Sequence, residues 1–507
     1  MFIRKKRNKS GTVSVQIIDK SAGYKVVKTI GSSGNGETVS LFVKKAQHFI
    51  HSHGGNQGIF AFETQSNKAI QGFLQQLSNG QIRVIGPELI LGTLFDRLGF
   101  NVIKEDLFRH IVIARLAYPV SKLKTVDYLY RYQGINVDVD KVYRFLDTLN
   151  DYYKDIVERK AFEYSQNVLG NISVVFYDMT TLYFESEDED DLRKIGFSKD
   201  GKFQNPQIML GLLVGENGYP IGYDIFEGNT FEGHTLLPVI EKMCQKYGFG
   251  KPIVVADAAL LSKDNIKYLI KHEYQFILGA RIKNESDELK QQILDKAKKA
   301  ADQEGFDITR PDGTRLIVAY SEQRYKKDVY NRQRGIVKLK QRIKSGRLTK
   351  NSINNRGYNK FLTLSGNIAV TIDEKKIKED GLWDGLKGFV TNTTLPIEKV
   401  VTNYRHLWQI EKAFRISKTD LKIRPVYHYR KKRIEAHICI AFVAYTIYKE
   451  LERLLFQKKI TFSPKRAIEL THTMYSLEYQ LSDDHQIEKT ILKMDIEQKE
   501  LYEAVFL

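Results

Sequence analysis

The chain has 507 residues, 42% hydrophobic and 28% charged, a balance that excludes global disorder and predicts two to four globular domains. Its net charge of +18 and pI near 9.4 attract polyanions, with nucleic acid ahead of an anionic membrane. Two cysteines, Cys244 and Cys439, lie in separate contexts, which excludes a disulfide framework or a cysteine zinc site and fits a reducing compartment.

Residues 1–9 carry charge with no apolar stretch behind them, so no secretory signal is expected. Two β-branched runs, Thr12–Ile18 and Tyr24–Ile30, flank Lys20-Ser21-Ala22-Gly23 and predict a hairpin. The basic residues before it, Arg4, Lys5, Lys6, Arg7 and Lys9, read equally as a phosphate-gripping arm or as a solvated terminus. From about 86 to 170 the pattern is helical. Val142, Phe145, Leu146, Leu149 and Tyr153 form one apolar stripe, and Pro119-Val120-Ser121 marks a break with an N-cap.

At Asn171 the texture turns to strands. Ile172–Tyr177 is a β-rich run that meets Asp178. Gln207–Val214 and Tyr219–Phe226 flank Glu216-Asn217-Gly218, a strong hairpin signal, and Pro252–Ala256 ends at Asp257, ahead of a helix from Ser262. Residues 281 to 360 are strongly basic, as in Arg324-Tyr325-Lys326-Lys327 and Lys338–Lys350, and read as a loop-rich insertion. Further β-like runs occupy Asn367–Ile372 and Gly388–Thr393. After Pro396 one helical stretch is expected through Lys418, then more helix to the end. Within it the apolar run Ile438 to Tyr448 is shorter than the roughly 20 residues needed to cross a bilayer.

By this pattern Asp178 and Asp257 each close an apolar strand, where ligands of open α/β sheets collect. If the strands are neighbours, the two carboxylates converge and need a cation between them, for which magnesium is suited. Taken singly, an aspartate at such a position is more often a turn or cap residue. Tyr404, Glu411 and Lys418 recur every seven residues, close to two helical turns, which places them near one face. The acidic run Glu185–Asp191 reads as a solvated loop, and Asp224, Glu227, His234 and His437 as supporting or structural groups.

Tyr404-x-x-Leu407-x-x-x-Glu411-x6-Lys418 resembles the Tyr–Arg–Glu–Lys signature of DDE transposases from bacterial insertion sequences. Val175–Thr181 resembles that family's first-aspartate strand, Val254–Ala258 its second, and Gly222–Thr230 the stretch between them. The resemblance covers about residues 86 to 450. It implies an α/β fold: a ribonuclease-H-like mixed sheet flanked by helices, with a β-rich insertion and an N-terminal, mostly helical DNA-binding region. The expected domains are 1–85, basic hairpin and helix; 86–170, helical DNA-binding or dimerisation region; 171–280 with 395–450, catalytic core; 281–394, basic insertion; and 451–507, C-terminal helices. One position departs: Leu407 stands where the family has an arginine that contacts phosphate. Arg405 and Arg415 are the nearest substitutes, and Phe389 is the positional match for an aromatic on which some relatives stack a flipped base, or else a buried strand residue.

The implied chemistry is phosphoryl transfer by two metal ions, Mg2+ with Mn2+ as a substitute, held by Asp178, Asp257 and Glu411 with Asp178 between them. Tyr404 and Lys418 would hold the phosphodiester. The implied partners are double-stranded DNA, as terminal inverted repeats and target, and a second copy in a homodimer, with no membrane. Localisation is expected to be cytoplasmic, with the nucleoid. DNA affinity should fall steeply with salt. Two other readings stay open, a ribonuclease-H-like nuclease without strand transfer and an inactive DNA-binding derivative.

Overall fold

The chain divides into two units, Met1–Asn79 and Gly80–Leu507. The computed structural model describes residues 1–21, 23–53, 71–75, 77–260, 262–299, 301–302, 304–346, 353–354, 357–365, 369–480 and 487–507. Ala22 of the predicted turn, residues 347–350 of the basic run, and Asn367 and Ile368 of a predicted strand lie outside the described residues.

In the first unit β1 (Phe2–Arg7), β2 (Val13–Asp19) and β3 (Lys25–Ser33) form an antiparallel sheet. Helix α1 (Gly36–His53) packs on it, and Val15 and Ile17 point inward to meet Val39 and Ala46. The predicted hairpin is thus present as β2–β3. The basic residues ahead of it are themselves a strand, with Lys5, Lys6 and Arg7 exposed along its edge.

The second unit begins with β4 (Ile82–Val84) and a helical layer: α2 (Thr93–Arg97), α3 (Asp106–Ala117), α4 (Lys122–Tyr128), α5 (Val139–Thr148) and α6 (Lys154–Leu169). Ser121 caps α4 by accepting from the Lys124 N–H, as its place after Pro119 predicts. The apolar stripe of α5 is buried at Val142, Phe145 and Leu146.

A mixed sheet follows, built from β5 (Val174–Tyr183), β6 (Gln207–Val214), β7 (Pro220–Glu227), β8 (Ile253–Ala256) and β9 (Phe276–Ala280). Helices α7 (Leu236–Tyr247), α8 (Lys263–Lys271) and α9 (Asp287–Ala297) lie between and after these strands. The β6–β7 turn has left-handed backbone at Asn217 and Gly218, the conformation that Asn-Gly adopts at low cost.

Residues 281–360 correct the loop-rich expectation. They supply β10 (Gly305–Thr309), β11 (Arg315–Tyr320) and α10 (Glu322–Lys344), a 23-residue helix. Helix α10 is polar on most sides, which hides its periodicity, and Arg332 ties it to Asp384. Then come β12 (Leu362–Ser365), β13 (Ala369–Ile372), α11 (Glu374–Gly381) and β14 (Leu386–Thr391). The eight strands of the main sheet run in the order β10-β11-β14-β9-β8-β5-β6-β7. β5, β8 and β9 are parallel to one another, and the other pairings are antiparallel.

The chain closes with α12 (Ile397–Arg405), α13 (Trp408–Arg415), α14 (Lys431–Gln457), α15 (Pro464–Thr471), β15 (Tyr475–Gln480), β16 (Ile487–Ile491) and α16 (Ile496–Phe506). β15 pairs with β16 and β4. Helix α14 is buried on nearly every side, packed by α3, α5 and α6, so its long apolar run belongs to a protein core. Among the described residues no helix is long and apolar enough to cross a membrane.

Each face of the main sheet has its own core. Val175, Tyr177 and Met179 point to one, with α7 and α8; Val174 and Phe176 point to the other, with α12, α13 and α14. Alternation therefore assigns Asp178 and Asp257, in phase with Phe176 and Val255, to the face that α12 and α13 cover.

Candidate active site

The parallel pairing of β5 with β8 ends at Tyr177 opposite Ala256. Asp178 and Asp257 are the next residues on the two chains, where neighbouring strands lie about 5 Å apart. The sequence reading is corrected in one respect. Asp178 does not end its strand, because antiparallel pairing with β6 carries β5 on to Tyr183. It sits inside the strand, at the point where the parallel partner leaves. Asp257 does lie just beyond β8, and its Oδ1 accepts the Ala259 N–H at 2.8 Å, closing a turn.

Asp178 is partly buried, and burial pushes its carboxyl up to about 6, against the Lys199 ammonium and the Met179 N–H, with Asp257 and Glu232 adding to the rise. The Lys199 Nζ stands 3.7 Å from Asp178 Oδ1 and 2.8 Å from Glu232 Oε1, and donates to the Met179 carbonyl at 2.7 Å. Burial opposes its charge, yet Asp178, Glu232 and Asp257 hold it above the ordinary lysine range. Lys199 and Glu232 escaped the sequence reading because neither lies in a patterned element.

Helix α12 ends at Arg405, and the chain turns through His406 and Leu407 with tight i to i+3 hydrogen bonds before α13 starts. The predicted single helix is therefore broken. Tyr404 is at the end of α12, exposed Glu411 lies on α13, and Lys418 falls in a π-helical turn, Ile416–Asp420. The break comes at Leu407, whose side chain turns inward and is 8% exposed.

Tyr404 packs on Phe389 with ring centroids 4.8 Å apart, and Lys387 Nζ lies 5.2 Å above the tyrosine ring. Burial pushes the Tyr404 hydroxyl up to about 12, reinforced by the charges of Asp257, Asp178 and Glu411. Asp257, Glu411, Tyr404 and Arg405 line one cavity of about 770 Å³ with Lys387 and Arg324. Burial beside Arg324 lowers the pKa of Lys387, and Asp257 opposes the shift. Among the described residues no three Asp, Glu, His or Cys side chains are close enough to form a metal-binding group.

Lys418 lies apart from this wall. Lys418 Nζ donates to both carboxylate oxygens of Asp200 at 3.2 Å, and Arg424 pairs with the same carboxylate. Burial lowers the Lys418 pKa while Asp200 opposes the shift. Arg405, on the cavity wall, and Arg415, away from it, are exposed, and Phe389, which also lines the cavity, is 3% exposed within β14.

The profile of the family described as Transposase DDE domain matches residues 170–447, a span that contains Asp178, Asp257, Tyr404, Glu411 and Lys418. No curated protein matches the chain. Among solved structures, the chain is similar to the piggyBac transposase synaptic complex with hairpin DNA, at 8% identity and a TM-score of 0.39, over 76% of this chain and 78% of that one. It is also similar to the Mos1 transposase paired-end complex with the left transposon end, at 9% identity and a TM-score of 0.16, over 46% and 71% respectively.

Proposed function

The chain belongs to the DDE transposase family, and from that premise we propose that it cuts DNA at the ends of a bacterial insertion sequence and joins the freed 3′ ends to target DNA. The observation that carries this reading is that Asp178 and Asp257 follow directly on the last parallel pair of β5 and β8, on neighbouring strands. A ribonuclease-H-like core is supported by five strands in the order β7-β6-β5-β8-β9, with β6 alone reversed.

The donor chemistry fits a divalent cation. Asp178 and Asp257 follow the last parallel pair on adjoining strands, and the Lys199 ammonium beside Asp178 supports a place suited to positive charge. Asp178 and Asp257 would hold magnesium, with manganese as a substitute, since carboxylate oxygens suit both; Glu411, which is not gathered with them among the described residues, would complete the set only on moving toward them. Such ions, when bound, acidify the attacking water or 3′-hydroxyl and neutralise charge on the leaving oxygen.

The chain's own residues then orient the phosphodiester. Tyr404 stays protonated at neutral pH and donates its O–H to a phosphate oxygen. Lys387 and Arg324, across the same cavity, attract the phosphate backbone, and exposed Arg405 and Arg415 extend that positive surface. Phe389 offers no open face for a base, so we read it as the support for Tyr404. Lys418 orders the Asp200–Arg424 corner. DNA ends and a second copy of the chain are the proposed partners.

The test is cleavage of a duplex carrying the element's own terminal repeats. Asp178→Asn, Asp257→Asn and Glu411→Gln should each lower cleavage about a thousandfold or more while sparing DNA affinity. Any of the three cleaving at the wild-type rate sinks the assignment. Cleavage without joining would favour the nuclease alternative, and binding without cleavage by the unaltered chain would favour an inactive derivative.

A further inference from the structure

A second cavity, of about 580 Å³, lies between α4, the end of α3 and the segment 422–428. Among the described residues five Lys or Arg and two histidines line it, and no Asp or Glu does. Two of the cations are deeply buried, Arg115 at 5% exposure and Lys122 at 4%. Arg115 donates from one terminal nitrogen to the carbonyls of Leu421 and Lys422 at a long 3.4 Å each, and its Nε has no partner among the described residues.

A buried charge is normally paired, because desolvation costs several kcal/mol and only an opposite charge offsets it. Among the described residues no carboxylate pairs with Arg115 or Lys122. Burial lowers the pKa of Arg115 to about 10, and that of Lys122 falls well below its ordinary range, with Arg115 adding repulsion. His428, whose ring lies 5.4 Å from that of His437, is pushed down to about 3 by burial and by Lys122 and Arg115. Arg424, on the cavity wall, is already committed to Asp200. This cluster of like charges is a poor structural element by itself, and it has the composition of an anion receptor.

We infer that this cavity binds the phosphate group of a phosphate ester, with Arg115 and Lys122 as the charged donors. A tetrahedral phosphate accepts several charge-assisted hydrogen bonds at once, which suits the guanidinium of Arg115 and the point charge of Lys122. The phosphate could belong to a DNA backbone or to a free nucleotide. The site contains none of Asp178, Asp257 and Glu411, so it stands whether or not their assignment does.

The experiment uses the full chain and inorganic pyrophosphate at low millimolar concentration, with sodium chloride at equal ionic strength as the control. Pyrophosphate should raise the unfolding midpoint of the unaltered protein by several degrees. Lys122→Met should weaken pyrophosphate binding about tenfold or more, and Lys122→Arg should retain it. Asp178→Asn should leave the response intact. An unaltered protein equally stable in both salts, or Lys122→Met responding like the parent, overturns the proposal. The first of these outcomes needs no variant, so a Lys122→Met chain that fails to fold does not protect the idea. If plain duplex DNA displaces pyrophosphate and Lys122→Met loses DNA affinity in parallel, the ligand is backbone phosphate. If DNA affinity is unchanged, the ligand is a free phosphate ester.

Discussion

The hydroxyl of Tyr404 occupies the space that a side chain on residue 279 would need: a Cβ built on Gly279 would lie 2.5 Å from it and 3.0 Å from the Ala258 backbone nitrogen. Gly279 belongs to β9, and Ala258 follows Asp257, so one missing methyl lets the phenol settle against the strand beside the carboxylates.

Gly279→Ala should therefore destabilise the protein by roughly 1–3 kcal/mol, the ordinary cost of overpacking a filled site. Tyr404→Phe in the same chain removes the closest clash and should recover part of the loss, leaving the contact with the Ala258 backbone. Urea unfolding of the single and double variants measures the coupling. A fully stable Gly279→Ala chain would mean that Tyr404 does not rest there.

Asp200 holds two cations, Lys418 and Arg424, in a partly buried corner. Asp200→Asn keeps the shape and removes the charge, leaving both cations without their carboxylate. A loss of about 2–3 kcal/mol is expected, below the 3–5 of a fully buried pair because Arg424 keeps some solvent. Adding Lys418→Met should return part of it, since one stranded charge is then gone. Chemical denaturation decides this; equal stability of Asp200→Asn and the parent contradicts the pairing.

His428 predicts the acid limit. It faces Lys122, Arg115 and Arg433, with Asp147 as the opposing charge, Tyr143 edge-on to its ring, and His437 beside it. Its folded pKa is about 3 against an ordinary 6.5, so below pH 6.5 the unfolded chain takes up a proton that the folded chain refuses. Stability should fall from pH 6.5 toward 3, by up to about 1.4 kcal/mol per unit from this group. His428→Gln should flatten that slope in unfolding free energies measured from pH 7 to 4. An unchanged slope would assign the acid sensitivity elsewhere.

Much of this architecture was legible in local pattern. Asn217-Gly218 marks a hairpin because few residue pairs adopt left-handed backbone cheaply, and the flanking apolar runs of β6 and β7 fix what it joins. The period of α5 and the Ser121 cap are equally local. Helix α10 was not legible: a polar helix held by pairs such as Arg332 with Asp384, 52 residues away, has no periodic apolar face to display. The break before α13 and the change to a π-helical turn after it were hidden too, because seven-residue spacing does not reveal whether the backbone continues as one regular helix.

By itself the sequence placed Asp178 and Asp257 on or beside strands and Glu411 on a helix, since alternation and turn chemistry are short-range properties of the chain. Only the tertiary structure decided how they are used. Asp178 became an interior strand residue because β8 ends beside it while β6 continues, and Lys199 joined it from a loop. Tyr404 gained its place from the absence of a side chain on a strand 125 positions earlier. Lys418 was drawn to Asp200, and Arg115 and Lys122 were enclosed without a carboxylate. Such facts depend on which distant segments meet, and pairing across a sheet or between layers leaves no mark in the spacing of either segment.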